Sequence, residues 1–447
     1  MTTQATAQPT ARSAVEATAP STALFTDHYE LTMIQAALEA GTADRRAVFE
    51  LFPRRLPDGR RYGVVAGVGR ALDALERFTF DAPALDLLRE QAVVDERTLQ
   101  WLADYRFTGD IWGYPEGETF FPYSPLVVVE ATFAEAVVLE TVLLSIYNHD
   151  CAIASAASRM TWAAGDRPCI EMGSRRTHEL AAVAAARAAY VAGFTATSNL
   201  AARQRYGVPT AGTSAHSFTL LHDNERDAFT AQVRSLGKGT TLLVDTYDVA
   251  EAVRMGVEIA GTELGAVRLD SGDLGLLAQQ VRAELDELGA TRTRIIVTSD
   301  LDEYAIASLA AAPVDGYGVG TSLVTGSGYP TCGFVYKLVS RECEDGSMVG
   351  VAKKSKDKTS IGGRKYALRR LSADGIAEAE VIGIGVRPEN DGDDRTLLVP
   401  LVQKGEIVGR EPLEAARERH IESRCELPMM ARQLSRGEPA IPTEHVV

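Results

Sequence analysis

Residues 264–289 read LGAVRLDSGDLGLLAQQVRAELDELG. The apolar run ends at a polar turn, Arg268 to Asp273, and the apolar residues that come after it recur at helical spacing until Gly289. One strand, one loop and one helix are therefore written in succession. The same plan recurs from about residue 165 to 325. The strand candidates are RPCIEMG (167–173), GFTATSN (193–199), VPTAGTS (208–214), TTLLVDTY (240–247), LGAVRLD (264–270), TRIIVTS (293–299) and VDGYGVG (314–320). Amphipathic stretches such as DVAEAVRMGVEIA (248–260) separate several of them. Seven βα units in series predict an α/β fold with a parallel sheet, either doubly wound or closed into a barrel.

The residues at the strand ends favour the barrel. In order come Ser174-Arg175-Arg176, Thr197-Ser198-Asn199, Ser214 to His216, Asp245 to Asp248, Arg268 to Asp273, Ser299 to Asp302, and Gly318 to Thr321. Parallel βα units bring these positions to one rim, where barrels gather chemistry from several strands. A doubly wound sheet would concentrate it near one switch point.

The flanks are patterned differently. Residues 22–130 mix a helix (YELTMIQAALEAG), a strand (RAVFELFP) and turn-rich β segments (GDIWGYPEGETFFPYSPLVVVEA), and 331–447 begin with strand candidates TCGFVYKLVSREC and EIVGREPL. We expect the two flanks to pack as one α/β domain beside a barrel spanning 131–330. The stretch 130–160 is expected to be a long helix leading into the barrel, and the last forty residues look helical. Residues 1–21, rich in Thr, Ala and Pro, read as a disordered tail without a signal-peptide apolar run.

Net charge is −15 over 447 residues, with 45% hydrophobic and 24% charged residues. That balance suits a soluble protein of two or three units and argues against a nucleic-acid partner, which needs clustered cations. No run approaches the roughly 20 uninterrupted apolar residues of a membrane span. Five scattered cysteines lack zinc or disulfide spacing, so a reducing cytoplasm is the expected compartment.

Several segments carry candidate chemistry. In VPTAGTSAHSF (208–218), small residues deliver a single histidine, His216; the plain alternative is a Ser or Thr helix cap with a half-buried imidazole. GYGVGTSLVTGSG (316–328) holds five glycines in thirteen residues, suited to converging backbone N–H groups on a phosphate, or to a flexible turn. In VRLDSGDLG, Arg268 and Asp270 share a strand face; they are either an ion pair or a site in which Asp270 accepts from ribose hydroxyls while Arg268 meets an anion. EMGSRRTHE offers Arg175 and Arg176, of which strand alternation lets only one face a pocket. VAKKSKDKTSIGGRK adds a lysine-rich run, a solvated loop or a phosphate patch.

Taken together, TDHYELTM, GSRRTHE, GTSAHSF, VRLDSGDL, YGVGTSLVT and VYKLV with KKSKDKTSIGGRK resemble the bacterial type of nicotinate phosphoribosyltransferase, in order and over residues 22 to about 400. The resemblance implies a type II phosphoribosyltransferase: an irregular (β/α) barrel beside an α/β domain built from both chain ends, working as a homodimer with shared active sites. The implied reaction joins nicotinate to 5-phosphoribosyl 1-pyrophosphate, releasing pyrophosphate, in NAD biosynthesis, with ATP hydrolysed through a phosphohistidine and Mg2+ carried by the diphosphate.

It further implies roles for single residues. His216 is phosphorylated and Asp245 holds its other nitrogen. Arg175 and Arg268 line the nicotinate pocket, and Tyr29 reaches the neighbouring subunit's pocket. Asp270, Gly318, Gly320 and Thr321 take the ribose and its phosphate, while Lys337, Lys353 and Lys358 meet phosphate. Ser198 stands where amide-using relatives carry an aspartate, which favours nicotinate over nicotinamide because a hydroxyl donates to a carboxylate and an aspartate repels it. Met172 departs from the aromatic residue of relatives. The alternatives are a nicotinamide phosphoribosyltransferase, opposed by Ser198; a non-catalytic pyridine-nucleotide sensor, opposed by the retention of His216, Asp245 and the lysines; and a carboxylate-paired barrel lyase or glycosidase, which leaves the lysine run unexplained.

Overall fold

In the computed structural model, which describes residues 20–353 and 360–447, the segment from 165 to 325 folds as a parallel sheet. Across the sheet the order is Ala196–Thr197, Cys169–Glu171, Gly316–Val319, Arg294–Ser299, Ala266–Leu269 and Thr241–Leu243. The early strand Cys169–Glu171 pairs directly with the late strand Gly316–Val319, so the series curls into a half-barrel. The expected strand at 208–214 supplies only a bridge from Thr210 to Thr197. Pro209 has no N–H to give, and 211–215 are small residues with little to bury. No ladder therefore extends from this segment to Thr241–Leu243, and the barrel stays irregular.

The helices between strands begin on side-chain caps. Asn199, Asn224, Asp248, Asp273 and Asp302 each accept a backbone N–H of the first helical turn. Each such cap contributes about 0.5–2 kcal/mol. The polar residues after the strands thus divide into two groups, those that start helices and those left free for a ligand.

Behind the rim, Leu242, Val253, Val267, Leu269, Ile295 and Val297 are fully buried in one apolar core, each side chain contributing roughly 1.5–3 kcal/mol on burial. The alanine-rich helix Glu179–Val191 packs within it. Its buried Arg187 is held against Glu116 (2.8 Å from Nη2) and lies over the Tyr206 ring.

The flanks meet in a seven-stranded antiparallel sheet. Arg46–Pro53 pairs with Phe334–Glu342 on one side and Val127–Thr132 on the other, so both chain ends share one sheet. EIVGREPL gives only the two-residue strand Glu406–Ile407. Residues 130–132 complete a strand, and the long helix runs from Glu140 to Ala164. Its first half, through Ala152, packs in the flank core and its second half, from Ile153, in the barrel core. The stretch Phe133–Ala164 is long and apolar enough to cross a membrane by length and composition, but 67% of its apolar window is buried inside the protein. The C-terminal residues form the helix Leu413–Cys425 and the strand Thr443–Val446, which pairs in parallel with Ala377–Ile384.

Candidate functional site

The rim concentrates hydrogen bonds on one carboxylate. Asp245 comes just after the strand Thr241–Leu243, and its side chain is only 3% exposed. Nε2–H of His216 donates to its Oδ1 at 3.1 Å. The Asp270 backbone N–H (3.0 Å) and the Ser271 hydroxyl (2.6 Å) donate to its Oδ2. Two rim segments, at His216 and at Asp270–Ser271, are thereby locked around Asp245. An ionised aspartate only accepts, so in the neutral imidazole this bond puts the proton on Nε2 and leaves Nδ1 its lone pair.

His216 opens the helix His216–Leu221, whose cap residue Ala215 makes no side-chain cap bond. The Ser or Thr capping alternative therefore does not account for the small residues before it. The imidazole is 38% exposed, and a Cβ added at Gly212 would meet nothing within 4 Å. A part-exposed imidazole can accept a transferred group.

Next to this pair lies an open cleft of about 280 Å³, lined by Met172, Arg175, Arg176, Arg268, Asp270, Thr298, Ser299, Asp300, Gly318, Gly320 and Thr321. Three guanidiniums in an acidic protein make it a local anion receptor. Arg268 reaches Thr213 through Nη1 (3.1 Å), and its buried Nε has no partner among the described residues. Burial pulls the Arg268 guanidinium below its ordinary range; Asp270 and Asp245 oppose the shift and Arg175 adds to it. The Thr298 hydroxyl donates to Asp270 Oδ1, leaving the other oxygen available to a hydroxylated ligand. At Gly318 a Cβ would stand 2.5 Å from Thr298 and 2.7 Å from the Met172 sulfur, so any side chain there would close the cleft floor. Ser299 takes a φ of +144°, an uncommon conformation for a residue with a side chain, at the cleft edge.

The placements differ from the sequence expectation in two ways. Arg175 and Arg176 both line the cleft because they sit in a turn after the strand Cys169–Glu171, where strand alternation does not apply. Met172, Thr298, Ser299 and Asp300 also line it; their signal was a strand end, weakened by the absence of any glycine or arginine pattern at 298–300. Tyr29 and Lys337 stand apart from the cleft, gathered at Glu140: Lys337 Nζ is 3.7 Å from Glu140 Oε1. Burial and the same Glu140 push the Tyr29 hydroxyl up to about 12. Ser198 is exposed on the rim, its N–H donating to the Glu171 carbonyl at 2.8 Å. Lys353 is exposed; Lys354, Lys356 and Lys358 lie outside the described residues.

Comparison with known proteins agrees with this architecture. Residues 24–148 match the nicotinate phosphoribosyltransferase (NAPRTase) N-terminal domain and residues 168–367 the NAPRTase family. The chain is 57% identical over 432 residues to nicotinate phosphoribosyltransferase pncB1 of Mycobacterium tuberculosis, covering 95% of each. It is 38% identical over 364 residues to nicotinate phosphoribosyltransferase of Bacillus subtilis, covering 79% of this chain and 74% of that one. The crystal structure of human nicotinic acid phosphoribosyltransferase superposes with a TM-score of 0.79 at 25% identity, covering 94% of this chain and 97% of that one. With matches over both of its halves and close identity along nearly its whole length, the chain belongs to the nicotinate phosphoribosyltransferase family.

Proposed function

We propose that the rim of the half-barrel transfers a 5-phosphoribosyl group to nicotinate, with ATP hydrolysis coupled through phosphorylated His216. The observation that carries the coupling is the His216–Asp245 pair, with a part-exposed imidazole, beside an arginine-lined cleft. In the phosphorylation step, Nδ1 attacks the γ-phosphorus of ATP, the bond to the β-phosphate oxygen breaks and ADP departs. The positive charge left on the ring is steadied by the Nε2–H bond to Asp245, whose other oxygen stays fixed by Asp270 and Ser271. Water later cleaves the nitrogen–phosphorus bond to release phosphate.

In the transfer step the pyridine nitrogen bonds to C1 of the ribosyl group as the C1–oxygen bond to diphosphate breaks. The carbon centre is cationic in the transition state, so the protein contributes mainly by positioning and by charge on the leaving group. Asp270 accepts from the ribose, and the turn Gly318–Thr321 holds the 5′-phosphate. Arg175 and Arg268 take the carboxylate end of nicotinate, with Ser198 donating to it. Magnesium, when bound with the diphosphate, supplies charge neutralisation; Asp270 and Asp300 offer the oxygen donors it favours, and among the described residues no cluster of three or more ligating side chains cages a metal. The active unit is a homodimer in which Tyr29 completes the partner's cleft, while Lys337, Lys353 and Lys358 are assigned to phosphate. The placement of Tyr29 at Glu140, away from the cleft of its own chain, supports that reading. The five free cysteines support a reducing, cytoplasmic setting.

The deciding experiment measures nicotinate mononucleotide formation with and without ATP, alongside incorporation of γ-phosphate. Coupling through His216 requires acid-labile phosphate on the parent and none on His216→Ala. An unlabelled parent would overturn the phosphohistidine.

A further inference from the structure

Glu171 is a carboxylate that, among the described residues, has no cation paired with it. It ends the strand Cys169–Glu171, is fully buried, and forms none of the ion pairs found among the described residues. Burial pushes its carboxyl above the ordinary range, opposed only by hydrogen bonds from Thr197 and Gly173. A buried acid left unpaired at a ligand rim is costly, so what it holds is informative.

It holds two rim segments at once. One oxygen accepts the Gly173 N–H, the start of the turn that carries Arg175 and Arg176. The other accepts the Thr197 hydroxyl on the neighbouring strand. Thr197 Oγ1 also accepts from the Asn199 N–H (2.9 Å), so one hydroxyl ties Glu171 to the start of the next helix. The Glu171 backbone carbonyl takes the Ser198 N–H at 2.8 Å. Asn199 closes the ring by donating from Nδ2 to Ser174 Oγ at 3.0 Å. On its far side the turn is tight: a Cβ at Gly173 would stand 2.3 Å from Val324 and 3.0 Å from the Gly320 carbonyl. The turn therefore cannot drift outward without disturbing the glycine loop.

We propose that Glu171 is a positioning residue that sets the spacing between Arg175 and Ser198, and so determines how well the pocket distinguishes a pyridine carboxylate from its amide. It touches no substrate and acts through the turn and the Thr197 strand end. This rests on the reading that Arg175 and Ser198 face the two sides of the nicotinate carboxylate.

Glu171→Gln has nearly the same shape but only one acceptor oxygen. Its NH2 must oppose either the Gly173 N–H or the Thr197 hydroxyl, leaving a buried donor unpaired. The expected result is a rise of about tenfold or more in KM for nicotinate and a smaller nicotinate-to-nicotinamide ratio of kcat/KM. The rate of His216 phosphorylation should stay within about twofold of the parent, since Asp245 and His216 share no bond with this ring. Thr197→Val, which removes the same hydrogen bond from the other side, should reproduce the pattern and serves if Glu171→Gln does not fold; with Glu171→Gln it should be less than additive. An unchanged nicotinate KM and acid-to-amide ratio in these variants, or an equal loss in every constant together with a lower melting temperature, would overturn the proposal. Arg175→Ala separates the two readings: if it leaves nicotinate KM unchanged, the pocket placement fails and the proposal with it, whereas a response to Arg175→Ala without one to Glu171→Gln removes Glu171 alone.

Discussion

Asp245→Asn is the substitution whose consequence the geometry specifies most closely. Three donors converge on this carboxylate: His216 Nε2–H at 3.1 Å, the Asp270 N–H at 3.0 Å and the Ser271 hydroxyl at 2.6 Å. Asparagine has one acceptor oxygen to offer them. If that oxygen keeps His216, the new NH2 faces the Asp270 N–H, and a nearly buried donor is left unpaired at about 1–3 kcal/mol. If the oxygen turns to Asp270 and Ser271, the NH2 faces Nε2, which must then accept. The proton moves to Nδ1 and blocks the nucleophile. Either arrangement also removes the negative charge that steadies the phosphorylated ring, worth about another 1–2 kcal/mol at this partly exposed site. The sum, roughly 2–5 kcal/mol, corresponds to about 30- to 5,000-fold in the phosphorylation rate. Rapid-quench mixing with γ-labelled ATP, counting acid-labile and alkali-stable phosphate, reads that step directly. A phosphorylation rate within about threefold of the parent would refute the reasoning.

Other outcomes test the remaining assignments. Ser198→Asp places a carboxylate against the nicotinate carboxylate and should lower kcat/KM for nicotinate by about tenfold or more while sparing nicotinamide; steady-state rates with both bases check it, and equal losses would remove Ser198 from the pocket. Mixing Tyr29→Ala with His216→Ala should restore about a quarter of the parental activity through hybrids with one intact site, and no rescue after subunit exchange would argue against shared sites. Glu225 is buried, and burial, with smaller contributions from Asp248 and Glu251, pushes its carboxyl from 4.5 up to about 7. Because the folded state binds this proton more tightly, its ionisation costs stability progressively as pH rises from 4.5 to 7, and the deficit persists above. Melting curves across pH should show Glu225→Gln gaining over the parent at pH 8 and losing that gain by pH 4, whereas parallel curves would exclude the effect.

The half-barrel was legible because each βα unit announces itself locally: an apolar run, a polar turn, then helical spacing, as at 264–289. The exception, 208–214, has the right composition for a strand entry, but pairing depends on the segment across from it, and Pro209 with the small residues after it leaves only the Thr210 bridge. The flanks were legible as β-rich but not as one sheet. The pairing of Arg46–Pro53 with Phe334–Glu342 joins residues nearly three hundred positions apart, and no local pattern encodes such a register.

For the site, the sequence presented polar strand ends without distinguishing those that cap helices from those that face a ligand. Asp245 and Asp248 are three residues apart in one loop, yet one gathers His216, Asp270 and Ser271 and the other only starts a helix. The same ambiguity repeats with Asp270 and Asp273. It is resolved by position on the curl: the first polar residue past a strand still points along the strand toward the rim, whereas the next acidic residue has already turned back to meet its helix. That geometry also explains why two arginines in succession can both reach the cleft, since Gly173 has ended the strand before either appears. Glu171 lies one step inside this boundary, on the last paired residue, where a polar side chain can reach no ligand directly. Its two hydrogen bonds instead reach the segments on either side of it, which is where the spacing of the pocket is decided.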